Sequence, residues 1–325
     1  MTGITAQADV LGDAALRAAI RAPSPHNTQP WRFRVGGERI DLLLDRDRVL
    51  PVCDPGAREA TLACGAALLN MRLAVAASGR AATVDLLPDR RDPDLLASLH
   101  LGAEQRPTPE ERRLAGAVPF RHTNRRPFLD RPVPVAARHA LTGAAAAEGA
   151  TLVLLTEPGS LDTVAGLLRR ADRIQTDDPR FQAELRRWTH GGERTDGVPR
   201  SAGGPRALDG GLLTLRDYGW HDDKRRRPFE NAPLVGVLTT HGDTRLDILR
   251  AGQAMQRVLL AATSGGLAAS FLSQPIEVGT TREELRRLLG PHEHPQTVLR
   301  FGYGYPGAPT PRRPVAEVSD REEDR

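Results

Sequence analysis

Two segments of the 325-residue chain read as copies of one helix. Laid over each other at one constant offset, Gly65-Ala-Ala-Leu-Leu-Asn-Met-Arg-Leu-Ala-Val-Ala-Ala-Ser-Gly79 and Gly252-Gln-Ala-Met-Gln-Arg-Val-Leu-Leu-Ala-Ala-Thr-Ser-Gly-Gly266 keep the same apolar stripe and the same terminal glycines. Both copies continue alike: residues 83–87 and 270–272 are strand-like, and residues 93–99 and 282–289 are Leu-rich stretches that predict a further helix. A helix with such a stripe cannot bury it alone, and its own copy offers a partner of matching shape. The chain is therefore expected to be an α+β fold of two degenerate copies packed as an internal pseudo-dimer.

Punctuation places the other elements. Residues 13–22 predict an amphipathic helix with Leu16 and Ile20 one turn apart, ended by Ala22-Pro23. Residues 31–35 and 40–44, joined by Gly36-Gly37, predict a hairpin. A helix over 58–78 carries Leu62, Leu69, Leu73 and Ala76 and stops at Gly79. The second copy reads as a helix over 135–148, a strand over 151–155, a helix over 161–190 and a strand over 234–239. The two halves divide as 1–115 and 116–325.

Residues 191–231 lack sustained periodicity, and an aperiodic stretch of about 40 residues inside a compact domain is either a flexible insert or a lid. The ground for the lid is that Tyr218 and Trp220 lie in it and Trp188 just before it, in a chain with only 3 Trp and 3 Tyr.

Charge and composition remove several function classes. Lys+Arg 45 against Asp+Glu 41 leaves a net charge of +4 and a pI near 9.6, but the signs are interleaved and aromatics are 4% of the chain. That gives neither a stripe for a polyanion nor platforms for stacked bases, so no nucleic-acid partner is expected. Every basic residue except Lys224 is Arg, and Lys224 sits in an Asp-Asp-Lys-Arg-Arg-Arg run without an apolar pocket. Schiff-base, pyridoxal and phosphate-loop lysines are thereby excluded. Cys53 and Cys64 fit neither a disulfide framework nor a zinc site and predict small buried thiols. No secretory signal is read at the start, and residues 258–276 are too polar to span a bilayer, so a cytoplasmic protein without a membrane partner is expected. Gly302-Tyr-Gly304-Tyr-Pro-Gly307 has dinucleotide-loop spacing, but Pro306, Pro309, Pro311 and Pro314 forbid the helix that must follow. It reads as a strand end and turn.

Two polar clusters remain. Ala22-Pro-Ser24-Pro-His26-Asn27-Thr28-Gln29-Pro-Trp31 sets five hydrogen-bonding side chains among three prolines. It is either a loop of side-chain turns capped by a buried Trp31 or a rigid shelf of donors for a planar polar ligand. In Phe120-Arg121-His122-Thr123-Asn124-Arg125-Arg126-Pro127-Phe128, an extended backbone would put Arg121, Thr123 and Arg125 on one side, two guanidinium forks and a hydroxyl aimed at one anion.

Together these clusters resemble the FMN-dependent nitroreductase superfamily, whose members carry an Arg-x-Ser/Thr-x-Arg/Lys segment and a Pro-Ser-x-x-Asn-x-Gln-Pro-Trp loop. The likeness extends through Arg131-Pro-Val-Pro, the Gly265-Gly-Leu-Ala-Ala-Ser helix end, Leu299-Arg-Phe-Gly-Tyr and Pro311-Arg-Arg-Pro-Val. Members are ordinarily homodimers with two flavins. Here the Ser/Asn loop stands only in the first half and the Arg segment only in the second, which resembles the tandem, Acg-type branch and implies one flavin site in a chain able to act as a monomer.

The resemblance implies roles by position. Arg121 and Thr123 hold the ribityl-phosphate tail, with Arg312 or Arg313 on the phosphate. Arg125 stands opposite the flavin N1 and O2 as the catalytic cation. Ser24 and Asn27 reach the flavin from the other half, and the backbone near Ser273 meets N5. The implied activity is transfer of electrons from NAD(P)H through FMN to a flat small-molecule acceptor such as a nitroaromatic or quinone. The alternative is a flavin-binding or flavin-sequestering protein whose insert occludes the ring and leaves little turnover.

Overall fold

The structure, a computed structural model, describes residues 2–204, 212–218, 229–305 and 307–321. Trp220 and Lys224, and the proline at 306, lie outside the described residues. The first half runs α1 (Thr2–Ala19), β1 (Trp31–Gly36), β2 (Arg39–Leu44), α2 (Arg58–Ala77), β3 (Arg80–Leu86), β4 (Leu95–Glu104) and α3 (Pro109–Ala117). The chain continues with α4 (Val135–Ala146), β5 (Thr151–Leu154), α5 (Pro158–Asp177), α6 (Pro179–Arg187) and the short strands β6 (Thr189–His190) and β7 (Val198–Pro199). Then come β8 (Leu234–Thr240), α7 (Arg245–Ser264), β9 (Ala268–Phe271), α8 (Gln274–Glu277), α9 (Gly279–Leu289), β10 (His294–Gly302), α10 (Val315–Val318) and β11 (Ser319–Arg321).

The strands form two main sheets of like order. One runs β11-β1-β2-β4-β3, the other β5-β8-β10-β9. Taking α2 as the counterpart of α7, β1, β2, β3 and β4 correspond to β5, β8, β9 and β10. Within these two sheets the pairings are antiparallel except that of β11, which lies parallel to β1; the short strands β6 and β7 pair with each other in parallel.

Two expectations are corrected here. Residues 93–99 are not a helix; they lead into β4, which is hydrogen-bonded to β2 on one edge and β3 on the other. Leu96, Ala97, Ser98 and Leu99 are all buried, so this central strand reads as a continuous apolar run, without the alternation that marks a half-exposed strand. The copy of β4 is therefore β10, and α8 and α9 are an addition of the second half. The helix expected over 161–190 is two, divided where Asp178 caps α6 by accepting from the Arg180 amide and Pro179 opens it.

The matched glycines mark where the two long helices cross. A Cβ on Gly65 would lie 2.2 Å from the Leu249 carbonyl oxygen, and one on Gly252 would lie 2.1 Å from that of Leu62. The contact is reciprocal, because Leu62 and Leu249 are themselves equivalent under the offset that aligns the glycines. Only a bare backbone lets α2 and α7 approach this closely. Around the crossing, Leu68, Leu69, Met71, Val258, Leu259 and Leu260 form one continuous core. By length and hydropathy α2 could cross a membrane, but 78% of that stretch is buried inside the fold.

A buried ion pair fixes the Arg-rich segment. Arg300 on β10 has no exposed side-chain surface; its Nη1 donates to Glu230 Oε1 at 2.8 Å and its Nη2 to the Arg126 carbonyl at 2.9 Å. Glu230 Oε2 accepts from the Phe128 amide at 2.9 Å, and the Arg300 guanidinium lies 4.0 Å from the Phe128 ring centre. Burial pulls Arg300 down to about 10, with Glu230 opposing. Removing one partner of such a pair strands a buried charge, so Glu230→Ala should cost about 3–5 kcal/mol. Glu230→Gln, able to keep the bond to the Phe128 amide, should lose less; urea unfolding of both variants checks the order.

Candidate functional site

The loop after α1 is held in a costly conformation. His26, Asn27 and Gln29 have φ of 46, 57 and 54°, in the left-handed region that residues other than glycine seldom enter. Three of its side chains fix it. Asn27 Nδ2 donates to the carbonyls of Gly197 (2.9 Å) and Pro311 (3.0 Å), and its Oδ1 accepts from Arg312 Nη1 (2.9 Å). Gln29 Nε2 donates to the Thr195 carbonyl at 2.8 Å, and its Oε1 accepts from the Arg313 amide at 2.9 Å. Ser24 Oγ accepts from the Gln29 amide at 2.9 Å, and Trp31 is buried beneath. The loop is thus fastened both to the insert and to the C-terminal tail.

A cleft of about 670 Å³, part of it solvent at the mouth, opens beside this loop. Ser24, Asn27, Thr123, Arg125, Ser273 and Arg312 all line it. The Arg segment reaches it because Thr123 bridges Ala269 at the edge of β9, where the Asn124 amide donates to the Ala269 carbonyl at 2.9 Å. Ser273 stands at the junction of β9 and α8. Arg121 lies behind the wall, buried, with Nη2 donating to the Arg21 carbonyl at 3.3 Å. Arg313 does not join the group: its guanidinium turns to Glu317 and Asp45.

The two ends of the cleft differ in charge. Arg312 is pulled down to about 9 by burial and by Arg121, Arg21 and Arg125, and Arg121 to about 10 by burial and Arg125. No carboxylate offsets either shift, so this end holds cations that repel one another. The Nε groups of Arg121 and Arg312 are buried and have no acceptor among the described residues.

The other end carries residues that the sequence reading did not assign: Glu59 on α2, Glu277 on α8, Arg216 of the insert and His26. Arg216 Nη1 donates to Glu277 Oε1 at 3.1 Å, its Nη2 bonds Glu277 Oε2, and Gln175 joins both. Burial works to raise Glu277, but the Arg216 guanidinium outweighs it and holds the carboxyl below its usual range. Burial, then Glu277 and Asp54, push Glu59 well up, and burial raises Asp54 to about 6. A signal existed in the sequence, an isolated acid in each of two apolar contexts, but only the tertiary fold brings the acids together.

Described residues of the insert border this end. Tyr218 lines the cleft with the Arg125 guanidinium 5.0 Å from its ring centre, and Arg125 Nη1 donates to the Ala202 carbonyl at 3.1 Å. Gly204, at φ 78°, lies so close that a Cβ would meet the Arg125 carbonyl oxygen at 2.5 Å.

Comparison with known proteins bears on this cleft. Residues 162–303 match the profile described as "Nitroreductase family". A Mycobacterium tuberculosis (strain ATCC 25618 / H37Rv) protein named "Putative NAD(P)H nitroreductase acg" is 33% identical over 311 residues, 94% of each chain. The chain belongs to the nitroreductase superfamily, in its Acg-type branch. A second relative from that strain, given the same description with the name Rv3131, is 35% identical over 93% of this chain and 89% of its own length. Solved structures similar to this chain include the FMN-dependent nitroreductase NfnB from Mycobacterium smegmatis in complex with NADPH, at 17% identity and TM-score 0.40, covering 65% of this chain and all of that one. Another is a nitroreductase with bound FMN from Bacteroides fragilis NCTC 9343, at 16% identity and TM-score 0.38, covering 62% and 93%.

Proposed function

We propose that the chain is an FMN-dependent oxidoreductase that takes electrons from NAD(P)H and passes them to a flat acceptor such as a nitroaromatic or a quinone. The observation that carries this reading is the pair Arg121 and Arg312, buried with no carboxylate to offset them, beside Arg125 on the cleft wall. Buried cations call for an anion, and guanidinium forks suit a phosphate. The free Nε of Arg312 leaves a donor for it, Arg121 adds positive charge from behind the wall, and the hydroxyls of Ser24 and Thr123 line the same space. The donor set therefore fits FMN. Between the two candidates for the phosphate, the cleft favours Arg312. Asn27 is already committed to Gly197, Pro311 and Arg312, so its role in this geometry is to tie the tail to the loop.

When bound, the flavin supplies the hydride chemistry. The protein's part is to hold it and to place Arg125 where negative charge builds on the ring. We read the halves 1–115 and 116–325 as an internal pseudo-dimer with one flavin between them, acting as a cytoplasmic monomer without nucleic-acid or membrane partners. The test is the visible spectrum of the purified protein and its response to NADPH under argon. About one FMN per chain, bleached on mixing, supports the reductase; colourless protein that cannot be reconstituted with FMN overturns it.

A second reading, a flavin-sequestering protein with little turnover, is favoured by the insert. Arg216 and Tyr218 form part of the cleft wall, and the Arg216 side chain is 11% exposed in its pair with Glu277. Flavin that bleaches with dithionite but not with NADPH would support this reading. If the insert is the barrier, Arg216→Met should speed bleaching by NADPH at least tenfold; an unchanged rate would remove the insert as the cause.

A further inference from the structure

His26 has an unusual place at the inner end of the cleft. It is 4% exposed, and neither ring nitrogen has a partner among the described residues. Buried polar atoms are nearly always satisfied, so two orphans on one ring, on a backbone at φ 46°, call for a ligand. Burial and the nearby Arg216 and Arg125 pull its pKa to about 3 against the pull of Glu277, so the ring is neutral, one nitrogen a donor and the other an acceptor.

Its surroundings say what kind of ligand. The ring stands edge-on to Phe181 of α6 (centroids 6.5 Å apart, 66° between planes) and to Tyr218 (6.1 Å, 83°). Behind these rings lies a second pocket, partly open to solvent, with room of about 210 Å³ between α5, α6 and the insert. Phe181 lines it, and Arg216 and Tyr218 line both cavities. The meeting point of the two spaces is thus walled by the rings of Phe181 and Tyr218 and by the neutral His26, with the Arg216 guanidinium 5.4 Å from the Phe181 ring centre and that of Arg125 5.0 Å from the Tyr218 ring centre. Rings and guanidinium planes beside one neutral donor suit a planar ring that bears an electron-rich oxygen.

We infer that His26 anchors the electron acceptor, its ring N–H donating to a carbonyl or nitro oxygen of a planar molecule held against Phe181 and Tyr218. The inference rests on the flavin-oxidoreductase reading and adds the acceptor site to it. It calls for titration of the oxidised, FMN-loaded protein with 2-methyl-1,4-naphthoquinone, followed by calorimetry, a readout independent of turnover. His26→Phe keeps the ring but not the nitrogens, and should leave the flavin-to-chain ratio unchanged while weakening quinone binding about tenfold. His26→Asn tolerates a positive φ and keeps a donor, so it should weaken binding less, by about threefold. Unchanged quinone affinity in His26→Phe would overturn the assignment, and so would loss of flavin from it, which would put His26 on the cofactor. Should the Phe variant fail to fold, His26→Asn and Tyr218→Leu decide: wild-type quinone affinity in both rejects the site. Wild-type protein that holds no FMN refutes the flavin reading instead, and the same titration of the flavin-free chain still decides His26.

Discussion

Gly252→Ala is expected to destabilise the protein by about 3 kcal/mol or more, beyond the usual cost of an added methyl in a packed core. The new Cβ would stand 2.1 Å from a carbonyl oxygen of α2, and 2.9 Å from the Gly65 Cα. These are backbone atoms, which cannot swing aside as a side chain would, so relief requires the two central helices to separate and the core to loosen on both sides. Gly65→Ala should cost as much, because the contact is reciprocal, and the double variant should cost less than the sum, because both methyls ask for the same gap. Gly116 of α3 and Gly143 of α4 have nothing within 4 Å of an added Cβ. Alanine there should be neutral or stabilise by up to about 1 kcal/mol. Urea titration of the four single variants separates the crossing from helix propensity; wild-type stability in Gly252→Ala would mean that the helices do not meet there.

Arg121→Ala combined with Arg125→Ala is expected to abolish retention of FMN. Hydrogen bonds to a charged group contribute about 1.5–3 kcal/mol each, so losing two should weaken binding by roughly two to four orders of magnitude. The flavin-free variant should melt no lower than the flavin-free parent, and higher at low salt, since two neighbours that repel the buried Arg312 are gone. Arg313→Ala should leave retention within about twofold, its guanidinium being turned away from the cleft to Glu317 and Asp45. Undiminished FMN in the double variant would refute the site, and a fall in the melting point of its empty form would show the arginines to be structural.

The parts of the fold legible in the sequence were those with local signals. The stripe of α2, its copy in α7 and the capping glycine Gly79 at φ 81° follow from periodicity and from the one residue suited to that turn. The hairpin of β1 and β2 follows from Gly36-Gly37 in the same way. β4 escaped because a strand paired on both edges and buried on both faces loses the alternation by which strands are recognised.

At the site, the cluster around Ser24 and Asn27 and the segment from Arg121 to Arg125 stood out because polar residues were crowded where proline or phenylalanine held the backbone. Glu59, Arg216 and Glu277 did not stand out. Each lies in a different element, and what makes them a group is burial around a shared charge, which exists only after folding. His26 was visible in its cluster but silent as to role, since the isolation of its nitrogens is a property of the packed protein.

The pairing of β11 with β1 gives the C-terminal tail a mechanical role. The described residues that follow β10, 303–305 and 307–318, lead from the second sheet to the first, where β11 is caught, and make a strap tied at both ends, with Arg312 along its length. Any sliding of one sheet past the other must pull on Arg312 and, through it, on Asn27. An anion gripped by Arg312 would in turn tighten the strap, so the stiffness of the whole molecule and the occupancy of its cleft become one variable, readable as slower hydrogen exchange in β1 and β10 when the cleft is filled.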